Sequence, residues 1–435
     1  MQPKIIVLDD DPTGSQTVHS CLLLTRWDAA TLKVALADAS PLLFILTNTR
    51  GMDAVRAAAV TREVCENLKI ALSSYKGPVL FISRSDSTLR GHYPVETDVM
   101  NEVLGPFDAT LLTPAFFEGG RITRDSTHYL MVEGKPVPTH ETEFARDSVF
   151  AYSTSFLPDY IAEKTRGRVA AQHVARLTLA ELRAGKAGPW LDALQNNRAG
   201  VVDGETPEDY RVFADAVLKA AASGKRLLFR SAASLLTALA KLPPQPVAAE
   251  AFATLVRGGR PGAIFVGSHV AKTTAQLSVL LKERGVVGLP LDVARLPDDR
   301  RVAVSELTAS IAHAHAQGLT PVVFTSRTEL KFASTAERLA FGEAISGTLM
   351  DVVKNLPETL GFLISKGGIT SNDVLSTGLE LTSSRVLGQI LPGVTVVQTP
   401  ANHRLPHMPV IIFPGNVGGD DALAIAYRRL NTHTA

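Results

Sequence analysis

Short apolar runs alternate along the chain with longer segments whose apolar positions recur at helical spacing. In the first half the apolar runs lie at 5–8, 42–47, 79–83, 110–113, 200–202 and 226–229, and the helical segments at 54–74, 95–104, 207–222 and 231–239. Strands that alternate with helices are typical of parallel sheets with helical crossover connections. The first half therefore predicts an α/β domain.

The second half repeats this alternation. The runs AIFVGS, PVVFTS, GFLISKGG and PVIIFPGN each end in small or polar residues, and each precedes a segment of helical character. Prolines near 243–246 and glycines at 258–262 predict a domain boundary between 242 and 263. We expect two α/β domains, 1–245 and 246–435, each built on a mainly parallel sheet flanked by helices.

The segment 116–160 interrupts the alternation. It lacks clear periodicity and is rich in Thr, His, Glu and Pro. Its scattered charged and aromatic residues favour an ordered excursion beside a site over a disordered loop.

Size, charge and cysteine content narrow the class of protein. The chain has 435 residues, 45% of them hydrophobic, which is more than one core usually serves. Lys and Arg (44) balance Asp and Glu (43) without a long run of one sign, so we expect neither a nucleic-acid partner nor an anionic membrane surface. Two cysteines make no disulfide framework, and no apolar stretch has signal-peptide or transmembrane length. These features predict a cytoplasmic protein.

Three consecutive aspartates follow the first predicted strand, in IIVLDDDPTGSQ. Asp10, Asp11, Thr13 and Gly14 stand where the loops at the carboxyl ends of parallel strands bind ligands. One aspartate would suffice to cap a helix while Thr13 and Gly14 form the turn, and neighbouring carboxylates raise each other's pKa. The additional acids could bind Mg²⁺, act as a general base toward a hydroxyl, or hold a polyol.

A second polar cluster, ISRSDSTLRGH, follows the third predicted strand. Two arginines among small donors form a natural clamp for a carboxylate or phosphate, because each guanidinium presents a planar fork of donors. The alternative is a solvated loop with an internal Arg–Asp pair. The candidate binding residues here are Arg84, Ser85, Asp86, Ser87 and Arg90.

A third cluster, VPTHETEFARDS, lies within 116–160. His140 and Glu143 have the spacing of two ligands on one helical turn, but a single pair does not establish a metal site. The charges also fit a solvated helix start. We include His140 and Glu141 among the candidate substrate-binding residues.

Three strand ends of the second half open into glycine turns before a helix. FVGSHVAKTT is one residue short of a Walker loop and lacks its second glycine, so we reject that interpretation. Glycine lets the backbone approach a phosphate closely, and a helix N-terminus adds donors and a favourable dipole. Three such turns in one domain favour a nucleotide site.

Spacing alone also allows a haloacid-dehalogenase-type phosphatase, whose first motif is a strand followed by Asp-x-Asp-x-Thr. Asp9 would then be the phosphoryl-accepting nucleophile and Asp11 the acid/base, with Asp420 and Asp421 helping to hold Mg²⁺. That fold gathers its motifs in one domain, whereas this acidic pair lies beyond the predicted boundary.

Over nearly its whole length the chain resembles the four-carbon acid sugar kinase family. The likeness rests on Asp-Asp-x-Thr-Gly at 10–14, on Asp-Ser-Thr-Leu-Arg-Gly at 86–91, and on the three glycine turns in the same order. The family's nucleotide contacts fall on Gly267, Ser268, Gly367, Gly368, Ile369, Thr370, Ser371, Gly415, Asn416 and Gly418.

The resemblance implies a kinase that uses ATP and Mg²⁺ to phosphorylate a hydroxyl of a small sugar acid, such as a tetronate or threonate. It implies an active site in the cleft between the domains and a homodimer. Asp10 or Asp11 would act on the hydroxyl, and Arg84 and Arg90 would bind the substrate carboxylate. The same clamp without phosphate loops would make a non-catalytic sugar-acid-binding protein.

Three positions depart from the family pattern. Pro12 replaces a common phenylalanine, Asp9 adds a third acid, and Ile369 stands where many members have glutamate. Isoleucine removes a polar contact to nucleotide or metal, so the metal ligands are not assigned. The departures indicate a subgroup with its own substrate.

Overall fold

The computed structural model divides the chain into two compact units, Met1–Pro243 and Pro244–Ala435. It describes residues 2–267, 270–326, 334–415 and 417–431. Each unit is built on a sheet flanked by helices, which confirms the predicted α/β class.

The first unit contains a large parallel sheet and a small antiparallel one. Its strands are β1 (Lys4–Asp9), β2 (Leu22–Leu24), β3 (Leu42–Leu46), β4 (Val79–Arg84), β5 (Ala109–Thr113), β6 (Arg121–Arg124), β7 (Thr127–Val132), β8 (Lys135–Pro138), β9 (Ala175–Leu177), β10 (Arg198–Val202) and β11 (Leu227–Ser231). Its helices are α1 (Ala29–Leu36), α2 (Ala54–Leu72), α3 (Val95–Leu104), α4 (Leu157–Lys164), α5 (Leu179–Arg183), α6 (Ala187–Ala193), α7 (Pro207–Ala222) and α8 (Ala233–Ala240).

The large sheet has the order β2-β3-β1-β4-β11-β5-β10-β9 within this unit, and every neighbouring pair is parallel. Strand β1 is buried along its whole length, because a parallel sheet with helices on both faces exposes neither. In register, Asp9 of β1 lies opposite Leu46 of β3 and Arg84 of β4, and Arg84 lies opposite Ser231 of β11. The polar strand ends found in the sequence therefore share one edge of the sheet.

One segment of the first unit departs from the sequence prediction, and another agrees with it. The predicted helix at 231–239 begins too early, since β11 continues through Ser231 and α8 starts at Ala233. The strand continues because Arg230 and Ser231 still pair with β4 and β5. The excursion 116–160 is ordered, as expected, and forms the antiparallel sheet β6-β7-β8.

The second unit has a mixed sheet. Its strands are β12 (Ala263–Val266), β13 (Val286–Leu291), β14 (Thr320–Thr325), β15 (Leu363–Lys366), β16 (Ser383–Leu391), β17 (Val394–Gln398) and β18 (Pro409–Phe413). Its helices are α9 (Ala271–Leu280), α10 (Leu296–Ala316), α11 (Thr335–Lys354), α12 (Gly368–Asp373) and α13 (Ala422–Leu430).

Within this unit the strand order is β13-β14-β12-β15-β18-β17-β16. The first five strands are parallel, and β16, β17 and β18 pair antiparallel. The sequence analysis missed the hairpin of β16 and β17. Buried and half-buried residues alternate along β16, but the buried positions include Ser384 and Gly388, so the apolar alternation typical of a strand is weak in the sequence. Within the described ranges, no helix combines the length and apolar character needed to cross a bilayer.

Candidate functional site

Asp10, directly after β1, is a buried carboxylate held by donors from two neighbouring strand ends. Only 2% of the residue is exposed. Arg50 contacts both oxygens, with Nη2 paired to Oδ1 and Nε donating to Oδ2 at 3.3 Å. Ser85 donates to Oδ2 at 2.5 Å. The orientation of this carboxylate is therefore fixed from both sides.

Arg50 is a site residue that the sequence analysis missed. It lies in a short 3₁₀ turn after β3, and its backbone N–H donates to the Asp10 carbonyl oxygen at 3.2 Å. Its Nη1 donates to Asp11 Oδ2 at 3.1 Å. Burial opposes the charge of Arg50, but the two carboxylates outweigh burial and hold its pKa well above the usual value. The signal was present, because TNTRG follows an apolar strand just as DDDPTG does.

Asp11 is the most accessible of the three aspartates, with 22% of its side chain exposed. Its Oδ1 accepts hydrogen bonds from the Thr13 backbone N–H at 2.8 Å and from Thr13 Oγ1 at 2.5 Å, which closes the turn. Burial raises the pKa of Asp11, but Arg50 and Thr13 outweigh burial and leave the pKa below its usual value. Asp11 is thus ionised at neutral pH and open to solvent.

Asp9 is fully buried. Burial raises its pKa to about 8, with Arg84 opposing and the two neighbouring aspartates adding to the rise. Among the described residues, its Oδ2 has no hydrogen-bond partner. A Cβ atom at residue 14 would overlap both carboxylate oxygens, so Gly14 packs directly on them. A phosphoryl-accepting nucleophile must be ionised and open to substrate, so this geometry does not favour the phosphatase hypothesis.

A buried polar chain connects Asp10 to helix α3. Arg230 Nη2 donates to Ser85 Oγ at 2.7 Å, and Arg230 Nη1 forms an ion pair with Glu96. Gly91, at φ +123°, leaves room for this chain, since a Cβ atom there would crowd Ser85 Oγ and Arg230 Nη2. Sequence reasoning missed both charged residues. Their signal was a charge inside an apolar strand and on the inner face of a helix.

The two arginines of the predicted clamp differ in accessibility. Arg84 has 6% of its side chain exposed and lies 3.5 Å from Asp9 Oδ1. Arg90 is 29% exposed and donates to Asp86 Oδ2 at 2.7 Å. Burial raises the pKa of Asp86, but Arg50 and Arg90 outweigh burial and lower it to about 2. The internal Arg–Asp pair is therefore present, and Arg90 is the more open clamp residue.

The excursion packs on the loop that carries these residues. His128 Nε2 lies 2.7 Å from the carbonyl oxygen of Ser87, and burial lowers the pKa of His128 to about 4. The Tyr152 hydroxyl donates to the Thr88 carbonyl oxygen at 2.8 Å. Ser87 thus holds the excursion through its backbone carbonyl group.

His140 and Glu141 lie further along the excursion. His140 Nδ1 is 2.5 Å from Ser155 Oγ, and Glu141 is 58% exposed. These contacts give neither residue a direct link to Asp10 or Asp11.

A small pocket opens beside the polar chain in the first unit. Its lining combines guanidinium, carboxylate and hydroxyl groups with apolar side chains, among them Ser85, Asp86, Arg90, Arg230, Leu112 and Tyr160. The guanidinium and hydroxyl donors in this lining suit an anionic or hydroxyl group of a ligand.

In the second unit the predicted glycine turns lie at adjacent strand ends. Gly267, after β12, has no space for a side chain because a Cβ atom would overlap Thr370 Oγ1. Gly367, at φ +116°, is the N-cap residue directly before α12, and its N–H donates to the Phe413 carbonyl oxygen at 2.8 Å. The predicted contacts Ser268 and Asn416 lie outside the described residues.

The remaining predicted nucleotide contacts on α12 face different surroundings. The Ser371 hydroxyl is buried and donates to the Ser365 carbonyl oxygen at 3.1 Å. Ile369, next to Gly368, is 72% exposed. Ser371 therefore stabilises the unit internally, while Ile369 presents an apolar surface at the strand-end edge.

The glycine loop, residues 414–419 with 416 outside the described residues, is anchored by its carbonyl oxygens. Lys366 Nζ donates to Pro414 O at 2.5 Å and to Gly415 O at 3.2 Å. From α9, Thr273 Oγ1 also donates to Gly415 O, at 3.1 Å.

The second half of the glycine loop, residues 417–419, is held by two further side chains of α9. Gln276 Nε2 donates to Val417 O at 2.9 Å and to Gly419 O at 2.8 Å, and Lys272 Nζ donates to Gly418 O at 3.2 Å. The C=O and N–H of a trans peptide unit point in opposite directions. Each anchored carbonyl therefore points the N–H group of its own peptide unit away from the anchoring side chain, and these N–H groups belong to Gly415, Gly418, Gly419 and Asp420. A row of backbone N–H groups on one face is a site for an anion.

Two family models match the chain, one in each unit. Residues 5–239 match the family model of a sugar-binding N-terminal domain, and residues 263–423 match that of a nucleotide-binding C-terminal domain.

Two curated relatives align with part of the chain. D-erythronate kinase from Heliobacterium modesticaldum is 30% identical over 171 residues, which are 38% of this chain and 37% of that protein. D-threonate kinase from Bordetella bronchiseptica is 33% identical over 165 residues, 36% of this chain and 38% of that protein. The chain thus matches less than two fifths of the length of either relative.

Solved structures share the fold over nearly the full chain. A Haemophilus influenzae protein of the DUF1537 family superposes with a TM-score of 0.66 at 18% identity, covering 97% of this chain and 98% of that one. A Salmonella typhimurium LT2 protein, provisionally described as a tRNA synthase, gives 0.70 at 18% identity, covering 98% and 99%.

Proposed function

Because the chain belongs to the four-carbon acid sugar kinase family, which joins a sugar-binding N-terminal domain to a nucleotide-binding C-terminal domain, we propose that it transfers the γ-phosphoryl group of ATP to a hydroxyl of a small sugar acid. The names of the D-erythronate and D-threonate kinases support a four-carbon acid as substrate. The observation that carries the proposal is the anchored glycine loop, whose row of N–H groups suits the phosphates of a nucleotide.

Asp11 is the residue we assign to the acceptor hydroxyl. Phosphoryl transfer forms a bond between the hydroxyl oxygen and the γ-phosphorus and breaks the bond to ADP, while the hydroxyl loses its proton. Asp11 is ionised and partly exposed, so it can orient the hydroxyl and accept that proton. Asp10, buried beside it, fixes Arg50 and through Arg50 the position of Asp11.

Arg90 is the residue we assign to the substrate carboxylate. It lines the pocket and is more exposed than Arg84, whose side chain faces Asp9. A guanidinium can bind a carboxylate through two parallel hydrogen bonds, which would fix the hydroxyl end of the acid with respect to Asp11.

Mg²⁺ is proposed to enter with the nucleotide. Among the residues that the structure describes, no three His, Cys, Asp or Glu side chains gather into a metal site. In phosphoryl-transfer sites Mg²⁺ is usually held by one or two carboxylates, water and the substrate phosphates, so the chain fits an ion that is bound mainly through ATP. Such an ion neutralises charge on the phosphates.

An ATP-consumption screen over erythronate, threonate and related sugar acids tests the proposal, with Asp11→Asn as the control. We expect ADP release that depends on one acid and is lost in the control. Absence of turnover with every acid, together with absence of ATP binding, would overturn it. Tight binding of an acid without ATP consumption would indicate a binding protein instead.

A further inference from the structure

Lys366 is a buried cation with no carboxylate partner among the described residues. It ends β15, is 0% exposed, and its Nζ lies 4.2 Å from the centre of the Phe413 ring. Its hydrogen bonds go to the carbonyl oxygens of Pro414 and Gly415. A buried ammonium that meets only neutral groups is costly, because it has lost its hydration without gaining a counter-charge.

The charged group that faces Lys366 has the same sign. Lys272, from α9, donates to the Gly418 carbonyl oxygen at 3.2 Å. Burial, with a smaller contribution from the charge of Lys272, lowers the pKa of Lys366 to about 7. Both amino groups contact carbonyl oxygens of the glycine loop, so protonation of Lys366 places a second positive charge beside these carbonyl groups.

We propose that Lys366 is a positioning residue for nucleotide phosphates, which supply the counter-charge that this buried ammonium lacks. The inference rests on the proposed function and deepens it. Lys366 acts through the glycine loop and not by direct contact, because its Nζ is bonded to the carbonyl side of the loop. A cation on the carbonyl side polarises each peptide unit and strengthens the N–H donors on the opposite side.

The charge balance of this step involves one proton. Near neutral pH a fraction of Lys366 is neutral in the free protein, and phosphates on the far face of the loop favour its ammonium form. Binding of a polyphosphate therefore takes up a proton from solvent, and binding of an uncharged nucleoside does not.

Calorimetry on the unmodified protein tests this directly. At about pH 8, ADP binding measured in two buffers of different ionisation enthalpy is expected to show uptake of most of one proton, whereas adenosine shows none. ADP binding without proton uptake would overturn the inference and leave the proposed kinase function standing. Failure of the protein to bind any nucleotide would overturn both.

A matched pair of variants gives a second test. Lys366→Met keeps the length and packing of the side chain without its charge, and Lys354→Met removes an exposed lysine of α11 from the same unit. We expect Lys366→Met to weaken ADP binding by about tenfold or more, leave adenosine binding unchanged and abolish proton uptake, while Lys354→Met behaves like the parent. Equal loss of ADP and adenosine binding would indicate a collapsed loop and contradict a charge effect, as would unchanged ADP affinity.

Discussion

Gly14 packs so closely on Asp9 that a Cβ atom at residue 14 would overlap both oxygens of the Asp9 carboxylate. This contact explains why a glycine follows the three aspartates, and it separates their roles. The turn over residues 10–14 covers Asp9 and leaves Asp11 exposed.

Gly14→Ala tests the closeness of this contact. The added methyl group must displace either the Asp9 carboxylate or the turn that carries Asp11, so we expect a loss of about 1–3 kcal/mol in the free energy of unfolding and a fall in kcat. Urea denaturation and steady-state kinetics measure both. Gly342→Ala on α11, where an added Cβ meets no atom within 4 Å outside its own helix backbone and chain neighbours, is the control and should be neutral or stabilising.

Asp9→Asn separates the kinase and phosphatase hypotheses. With a pKa of about 8, Asp9 is largely protonated at neutral pH, and asparagine resembles the protonated acid in shape and charge. We expect the variant to retain most of its sugar-acid kinase activity at about pH 7. A dead variant, together with a trapped phosphoaspartate on the parent protein, would instead establish Asp9 as a nucleophile.

The same substitution predicts a pH dependence of stability. The folded-state pKa of Asp9 lies above its unfolded value of about 3.9, so the parent loses stability relative to Asp9→Asn as pH rises from about 4 to about 8, and the difference levels off above that range. Urea unfolding of both proteins at several pH values measures the effect. Parallel curves would show that folding does not raise the pKa of Asp9.

Asp10→Asn and Asp11→Asn should affect different properties of the protein. Asp11→Asn removes the proposed acceptor of the hydroxyl proton, and we expect kcat to fall by about 10²–10⁴-fold with little loss of stability. Asp10→Asn leaves Arg50 with one carboxylate in a buried setting, so we expect activity and stability to fall together. Kinetics paired with denaturation distinguishes them, and a stable, fully active Asp11→Asn protein would rule out the assigned role.

The Arg230–Glu96 ion pair predicts that substitutions of the two residues have non-additive effects on the free energy of unfolding. Removal of either partner leaves a buried charge unpaired, and we expect Arg230→Met or Glu96→Gln to lower the free energy of unfolding by about 3–5 kcal/mol. The double variant should lose clearly less than the sum of the two. A double-mutant cycle by urea denaturation checks this, and additive losses would contradict the pair.

The sequence predicts where the site lies better than it predicts the hydrogen bonds and ion pairs between the site residues. Asp10 and Ser85 lie far apart in the chain, yet the sequence places both at strand ends, and parallel pairing of β1 and β4 brings them together. Arg50 likewise follows a strand end, that of β3. It could have been found if every polar residue after a predicted strand had been treated as a candidate.

The roles of other site residues could not be predicted from the pattern. Arg230 and Lys366 are the charged members of apolar strands, and their position alone does not show what they bind. Their function depends on neighbours from distant segments, Glu96 on α3 and the glycine loop after β18, and only tertiary packing supplies these partners. Arg84 is the opposite case. The sequence predicts that it binds the substrate carboxylate, but its side chain is buried and faces Asp9.

The anchoring of the glycine loop has a consequence for affinity. Since helix α9 and Lys366 hold its carbonyl groups in the protein without a ligand, the loop loses its conformational entropy during folding and not on binding. A preorganised receptor avoids that ordering cost when the ligand arrives. Substitutions at Gln276 or Thr273 should therefore weaken phosphate binding without touching the phosphates, by returning disorder to the unliganded state.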